Sequence, residues 1–143
     1  MALGFGYGDR IGIWSTNNLE WLVLQLATAR IGAILVNINP AYRLKELGYA
    51  LTRSEVQGLF TTPSFRGSDY VAMLRELLPE LQASGPANLA SRDFPFLQRV
   101  VLYEPAAPLK TRRPAPGFTL WGEVLAAATT VSPPELNHQT AGL

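Results

Sequence analysis

The run "ARIGAILVNINPAYRLKELGYAL", residues 29–51, constrains the fold more than any other stretch. A helical run meets Gly32, a short apolar strand follows, Asn39-Pro40 interrupts it, and a second helical run begins. "ILVNI", residues 34–38, starts with large aliphatic side chains on both faces, the pattern of an interior parallel strand. Pro40 cannot donate to a ladder, so the strand has to stop before it. A strand fed by one helix and emptied into another is the repeating step of a sheet with helices packed on it.

The same alternation extends along the chain. "DRIGIW", residues 9–14, predicts a first strand. Asn17 is placed to cap the helix over residues 18–31, with Glu20 at capping-box spacing. Leu19, Trp21, Leu22, Val23, Leu24 and Leu26 cover most of that helix, which predicts burial on more than one side. Gly32 suits the left-handed residue that ends it. Leu44, Leu47, Gly48 and Leu51 follow at i, i+3, i+4 and i+7, an amphipathic helix whose small Gly48 allows close approach to a neighbour.

"VQGLFTT", residues 56–62, predicts a third strand. Ser68 is expected to cap a third helix that turns Val71, Leu74, Leu77, Leu78 and Leu81 inward and breaks or kinks at Pro79. A polar loop spans residues 83–96, and "LQRVVLYE", residues 97–104, predicts a fourth strand. A Pro-rich loop leads to Thr119, expected to cap a helix with Trp121, Val124, Leu125 and Ala128 at helical spacing. The last residues, "TVSPPELNHQTAGL", read as loop. The order βαβαβαβα predicts an α/β fold with a parallel sheet and right-handed crossovers.

Composition narrows the function classes. The 143 residues are 48% apolar and 16% charged, against about a quarter charged in an ordinary soluble domain. Either the core is large for the length, or apolar surface is meant to face something else. Net charge is +1, and the one tight basic cluster, Lys110, Arg112 and Arg113 between prolines, reads as a short basic loop. Nucleic-acid binding would need a basic stripe or interleaved aromatics. There is no Cys, which excludes disulfides and thiolate metal sites and fits a reducing compartment, taken as cytoplasmic. His138, the only His, reads as a solvated tail residue, so a His-ligated metal and a Ser-His-Asp triad have little support. "MALGFGYGDR" lacks a signal pattern. The one span-length apolar window, residues 19–38, contains Glu20 and Arg30 and is divided by Gly32, so it reads as helix plus strand and not as a membrane anchor.

Ligands in open parallel sheets sit beyond the carboxyl ends of the strands. There the sequence offers residues 15–18, 37–42 and 61–64. Asn37 and Asn39 are able to bond a ligand, but such side chains more often satisfy loop backbone. Thr61-Thr62 lacks the glycines that wrap a phosphate. No G-x-x-x-x-G-K-[ST] occurs, and Gly4, Gly6 and Gly8 precede the first strand where a dinucleotide fingerprint must follow it, so they read as a flexible lead-in. Glu20, Glu46, Glu55, Asp69, Glu76 and Asp93 are scattered, as helix caps and solvated faces are.

Residues 8–60, "GDRIGIWSTNNLEWLVLQLATARIGAILVNINPAYRLKELGYALTRSEVQGLF", resemble the N-terminal region of the ATP-dependent acyl-CoA synthetases of the adenylate-forming (AMP-binding) superfamily. The "VNINPAY" form is most similar to the medium- and long-chain fatty-acyl branch, and "FPFLQRVVLYE" and "LWGEVLAAA" continue the match more loosely. The resemblance implies that residues 1–143 are a partial N-terminal subdomain, an incomplete portion of the family's large N-terminal domain that stops before the phosphate-binding loop. That Ser/Thr/Gly-rich loop with its Pro-Lys, the aromatic-Gly-x-Thr-Glu motif, the ribose-binding Asp and the adenylation Lys have no matching positions here. No catalytic, cofactor-binding or metal residue is therefore assigned.

In the complete family a carboxylate attacks the α-phosphate of ATP, and the thiol of coenzyme A then displaces AMP, with Mg²⁺ and cationic groups offsetting phosphate charge. Fatty acid, ATP, Mg²⁺ and coenzyme A are thus implied for the full-length context and none for this chain alone. Two readings follow: a scaffold fragment of such a ligase, inactive alone, whose exposed apolar surface drives self-association, or a standalone non-catalytic module that binds or pairs. An unrelated flavodoxin-like domain would require the match over residues 8–60 to be chance.

Overall fold

The structure, a computed structural model, describes residues 1–105 and 116–143. The basic cluster Lys110, Arg112 and Arg113 lies outside the described residues. Strand β1 (Arg10–Trp14) leads through helix α1 (Leu19–Ile31) to β2 (Ile34–Ile38), then through α2 (Leu44–Ser54) to β3 (Gly58–Thr61). A two-strand hairpin, β4 (Ser64–Phe65) and β5 (Ser68–Asp69), precedes α3 (Tyr70–Leu77) and a 3₁₀ turn at Pro79–Gln82. β6 (Arg99–Leu102), β7 (Thr119–Leu120), α4 (Trp121–Ala128) and α5 (Pro133–Thr140) complete the order.

Five strands form one parallel sheet in the order β2-β1-β3-β6-β7. Side chains alternate across it. Ile11 and Ile13 of β1, Phe60 of β3 and Val101 of β6 join Phe5, Leu24 and Trp121 on the face of α1 and α4. Trp14, Leu59, Val100 and Leu102 join Leu47, Leu51, Tyr70 and Leu74 on the face of α2 and α3. Burial on both faces is why the central strands are apolar throughout.

Several local expectations hold for the stated reasons. Gly32 ends α1 at φ 71°. A Cβ on Gly48 would lie 3.3 Å from Leu77, so α2 and α3 do approach closely there. Helix α3 stops at Leu77, just before Pro79.

Other expectations are corrected. Asn18, not Asn17, caps α1: it is extended, and its Oδ1 accepts from the Trp21 N–H at 2.8 Å. Glu20 is consequently one position too early for a capping box and turns inward, 5% exposed. Asp69, not Ser68, caps α3: the helix starts at Tyr70, and Asp69 Oδ1 accepts from the Ala72 N–H at 2.9 Å, after a hairpin whose tight turn takes positive φ at Arg66 and Gly67. Thr119 is not a cap either. It pairs in β7, its hydroxyl donates to the Pro86 carbonyl, and the Glu123 carboxylate receives the Leu120 N–H. In α4, Trp121 is buried but Leu125 and Ala128 are exposed.

The C-terminal residues are not all loop. Ser132 caps α5, with Pro133 in its first turn and the Glu135 N–H bonded to the Ser132 hydroxyl, a start signal present in "SPPE". The glycines near the N-terminus do not form a flexible lead-in. Gly8 donates to the Gly32 carbonyl, Gly6 donates to Asp9, and Phe5 is buried against Gly58, where a Cβ would stand 2.5 Å from its ring. Finally, β2 is an edge strand of this sheet and not an interior one, with Ile34 half exposed.

Among the described residues no helix is long and apolar enough to cross a membrane.

Candidate functional site

The chain leaves β1 toward β2 on one side and reaches β3 on the other, so strand order reverses between β1 and β3. The crevice beyond the carboxyl ends of those strands is where a doubly wound sheet binds ligands. Residues 15–18 follow β1 and residues 61–64 close β3, so two of the three candidate segments flank this point. Residues 37–42 lie beside them at the end of β2.

Most polar groups here are committed to the chain itself. The Ser15 hydroxyl donates to the Thr16 carbonyl and accepts from Asn18 Nδ2 at 2.9 Å. The Thr61 hydroxyl donates to the Trp14 carbonyl at 2.9 Å, joining β3 to β1. Asn39 Oδ1 accepts from the Ala41 N–H at 2.9 Å, a local turn of the kind its sequence context predicts. The Asn39 carbonyl accepts from Trp14 Nε1 at 3.2 Å, and the Tyr70 hydroxyl donates to the Pro40 carbonyl. Asn37 is exposed.

Two tyrosines close the crevice, and sequence reasoning missed both. The hydroxyl of Tyr103, which follows β6, donates to Asn18 Oδ1 at 3.3 Å, bridging 85 positions of chain. Burial pushes its phenol up, and hydrogen bonds with Ser15 and Asn18 oppose that. Burial alone pushes Tyr70 up to about 12. A tyrosine at a strand end carries no signal that separates a ligand contact from a loop tie, so only the fold reveals the pairing.

Glu20 is the exception to this economy. Its Oε2 is buried and has no hydrogen-bond partner among the described residues. A buried carboxylate oxygen without a partner is costly, and the α1 N-terminus returns only about 0.3–1 kcal/mol through its dipole. Glu20→Met is therefore expected to raise stability by about 1–2 kcal/mol. A urea midpoint lower than that of the parent would mean that the carboxylate is satisfied.

A cleft of about 300 Å³ lies on the α1 face, bounded by the N-terminal residues, α1, α4 and α5. Phe5, Leu24, Phe60, Val124 and Leu136 line it together with Thr28, whose hydroxyl is spent on the Leu24 carbonyl at 2.8 Å. Such a wall offers packing and no polar recognition. Among the described residues no three His, Asp or Glu side chains stand together as metal ligands. His138 is exposed on α5.

The profile of the AMP-binding enzyme family matches residues 1–133. The YngI protein of Bacillus subtilis (strain 168) is 36% identical over 143 residues, covering 100% of this chain and 25% of that protein. The mitochondrial medium-chain acyl-CoA ligase ACSF2 of Homo sapiens is 35% identical over 130 residues, covering 91% of this chain and 20% of its own length. Among solved structures, the N-terminal domain of FACL13 from Mycobacterium tuberculosis superposes with a TM-score of 0.54 at 17% identity, over 92% of this chain and 25% of that one. The anthranilate CoA ligase AuaEII gives 0.50 at 20% identity, over 70% and 16%. At those identities the structures speak for the fold alone. The chain spans a quarter or less of the length of these curated relatives.

Proposed function

Because the chain belongs to the AMP-binding enzyme family, we propose that it is a scaffold portion of an acyl-CoA synthetase and forms no adenylate by itself. The whole-protein reaction on this reading joins a fatty acid to coenzyme A through an acyl-adenylate, consuming ATP with Mg²⁺. This chain's share is to hold strand ends and loops at the floor of that site.

The observation that carries the reading is how the crevice is used. The side chains of Ser15, Asn18, Asn39, Thr61, Tyr70 and Tyr103 bond one another or nearby backbone. Phosphoryl chemistry needs converging donors and cations aimed at the phosphate oxygens. The family's phosphate loop and adenylation Lys, by the resemblance, have no counterpart in this sequence. The residues present suit rigid support and not ATP, Mg²⁺ or coenzyme A binding by this chain alone. On the same reading, residues 1–143 are part of one larger domain. The cysteine-free composition suits a reducing compartment such as the cytoplasm; a mitochondrial compartment, carried in the ACSF2 name for that protein, suits it equally.

The test is carboxylate-dependent ATP–pyrophosphate exchange by the purified chain. No exchange above a protein-free control is expected across short, medium and long acids. Robust exchange would require a phosphate site within these residues and would overturn the proposal. A second reading, a non-catalytic module, draws on the apolar cleft beside α4 and α5. A monodisperse chain that unfolds cooperatively and takes up an alkyl ligand favours that module, and aggregation of the chain alone favours the scaffold.

A further inference from the structure

We propose that residues 90–97 form a hinged lid over a groove along α2, and that the Glu80 carboxylate is the latch that keeps it shut. The device belongs to the fold of this chain and stands whether or not the scaffold reading does.

The lid is irregular backbone with a neck, a plug and one tie. At the neck the Leu89 N–H donates to the Gln98 carbonyl at 3.1 Å. The Gln98 N–H donates in turn to the carbonyl of Gln57, just before β3, at 2.8 Å, so both ends of the lid are anchored to the sheet. Leu89 and Leu97 are buried there. Between them Ala90, Arg92, Asp93, Pro95 and Phe96 are exposed, and Ser91 and Phe94 turn inward.

Phe94 is the plug. Its ring reaches over α2 to Gly48, where an added Cβ would stand 3.7 Å from Phe94 Cζ. A cavity of about 470 Å³ lies on one side of the ring, against Leu44, Tyr49 and Leu77. Another of about 230 Å³ lies on the other side, against Leu51, Val56 and Leu97. Thr52, Asp93 and Phe94 line both, so one groove along α2 is divided at Phe94. A ring with open space on two sides gains less from packing than one gripped all round.

The tie is Glu80, in the 3₁₀ turn after α3. Its Oε1 accepts from the Arg92 N–H at 3.0 Å, and a bond to an ionised acceptor is stronger than a neutral one. Among the described residues nothing but Glu80 hydrogen-bonds to residues 90–97 from outside them. The Ser91 hydroxyl stands beside the same carboxylate and accepts from the Phe94 N–H at 3.3 Å, so the latch reaches the plug through one residue.

The Arg92 N–H first, then the N–H of Glu80 itself, the Ser91 hydroxyl and the Arg92 guanidinium hold the Glu80 carboxyl below its ordinary value, and burial opposes them. Arg92 is the one charged side chain bearing on it among the described residues. A lowered folded-state value means that the latch is complete above the ordinary 4.5 and is lost as pH falls through the lowered value.

The experiment is limited trypsin digestion of this chain, since Arg92 lies in the lid and Arg53 in the last turn of α2. Cutting a closed loop needs local opening, and its rate follows the population of the open form. Glu80→Ala is expected to speed cleavage after Arg92 about tenfold and to leave cleavage after Arg53 unchanged. Nuclear magnetic resonance gives the second readout. The Arg92 amide proton should titrate with a midpoint below 4.5 in the parent and stay flat in Glu80→Gln.

Unchanged cleavage after Arg92 in Glu80→Ala overturns the inference. Equal acceleration at Arg92 and Arg53, or outright unfolding of the variant, overturns it too, because the carboxylate then supports the whole fold and not a lid. An Arg92 amide that does not titrate in the parent removes the latch, whatever the digestion shows.

Discussion

Trp14→Ala is expected to cost about 3–5 kcal/mol, the range for emptying a buried large aromatic site. Trp14 is fully buried, and its ring stacks on Tyr70 with centroids 3.5 Å apart and planes 11° from parallel. Its Nε1 also donates to the Asn39 carbonyl. One side chain thus ties the end of β1 to the start of α3 and to the loop after β2. Alanine would leave a cavity on the α2–α3 face, and Asn39 would lose its donor. A domain of this size holds about 5–15 kcal/mol in total, so the loss is a large share of what keeps it folded.

Urea denaturation checks this: the midpoint should fall steeply while the slope stays constant. Trp14→Phe keeps the stack and loses the donor, so it should fall between parent and alanine. An alanine variant within about 1 kcal/mol of the parent would mean that the stack contributes little.

The second large effect is alkaline. Tyr70 is held neutral by burial, its pKa raised to about 12 from the ordinary 10.0. A raised folded-state value means that the native chain keeps a proton that the unfolded chain releases. The stabilisation is complete below pH 10 and is lost as pH rises through 12. Over that window the native state should lose about 2–3 kcal/mol from this group. Tyr103, also pushed up by burial, adds to the slope in the same direction.

Tyr70→Phe separates the two. Below pH 10 it should cost about 0.5–1.5 kcal/mol for the bond to the Pro40 carbonyl. Above pH 10 it should unfold less steeply than the parent. Identical alkaline slopes for parent and variant would show that the phenol is not protected by the fold.

The strand–helix alternation was legible because its signals act within a few residues. Gly32 takes a left-handed conformation at a helix end, Pro79 removes a donor, and leucines recur at helical spacing in α2. The misreadings were one-residue or context errors. Asn17 and Asn18 are chemically the same cap, and only the extended backbone at Asn18 chooses between them. Choosing Asn18 shifts Glu20 by one helix position, from a cap partner to an inward side chain whose Oε2 is buried with no hydrogen-bond partner among the described residues. Thr119 reads as a cap until β6 offers it a partner strand. Nothing at Tyr103 or Tyr70 announces that it closes the crevice, because their partners lie 85 and 30 positions away.

By itself the sequence determined the α/β alternation, which depends on residue types at short spacing, and its resemblance over residues 8–60 pointed to the family. Tertiary structure alone decided that β2 stands at the edge, that α1 buries one line of side chains, and that the polar groups beyond β1 and β3 are tied to one another. The physical reason is that sheet order and burial are set by which distant surfaces meet. An apolar side chain carries the same drive to be covered wherever it lies, but it does not name what covers it.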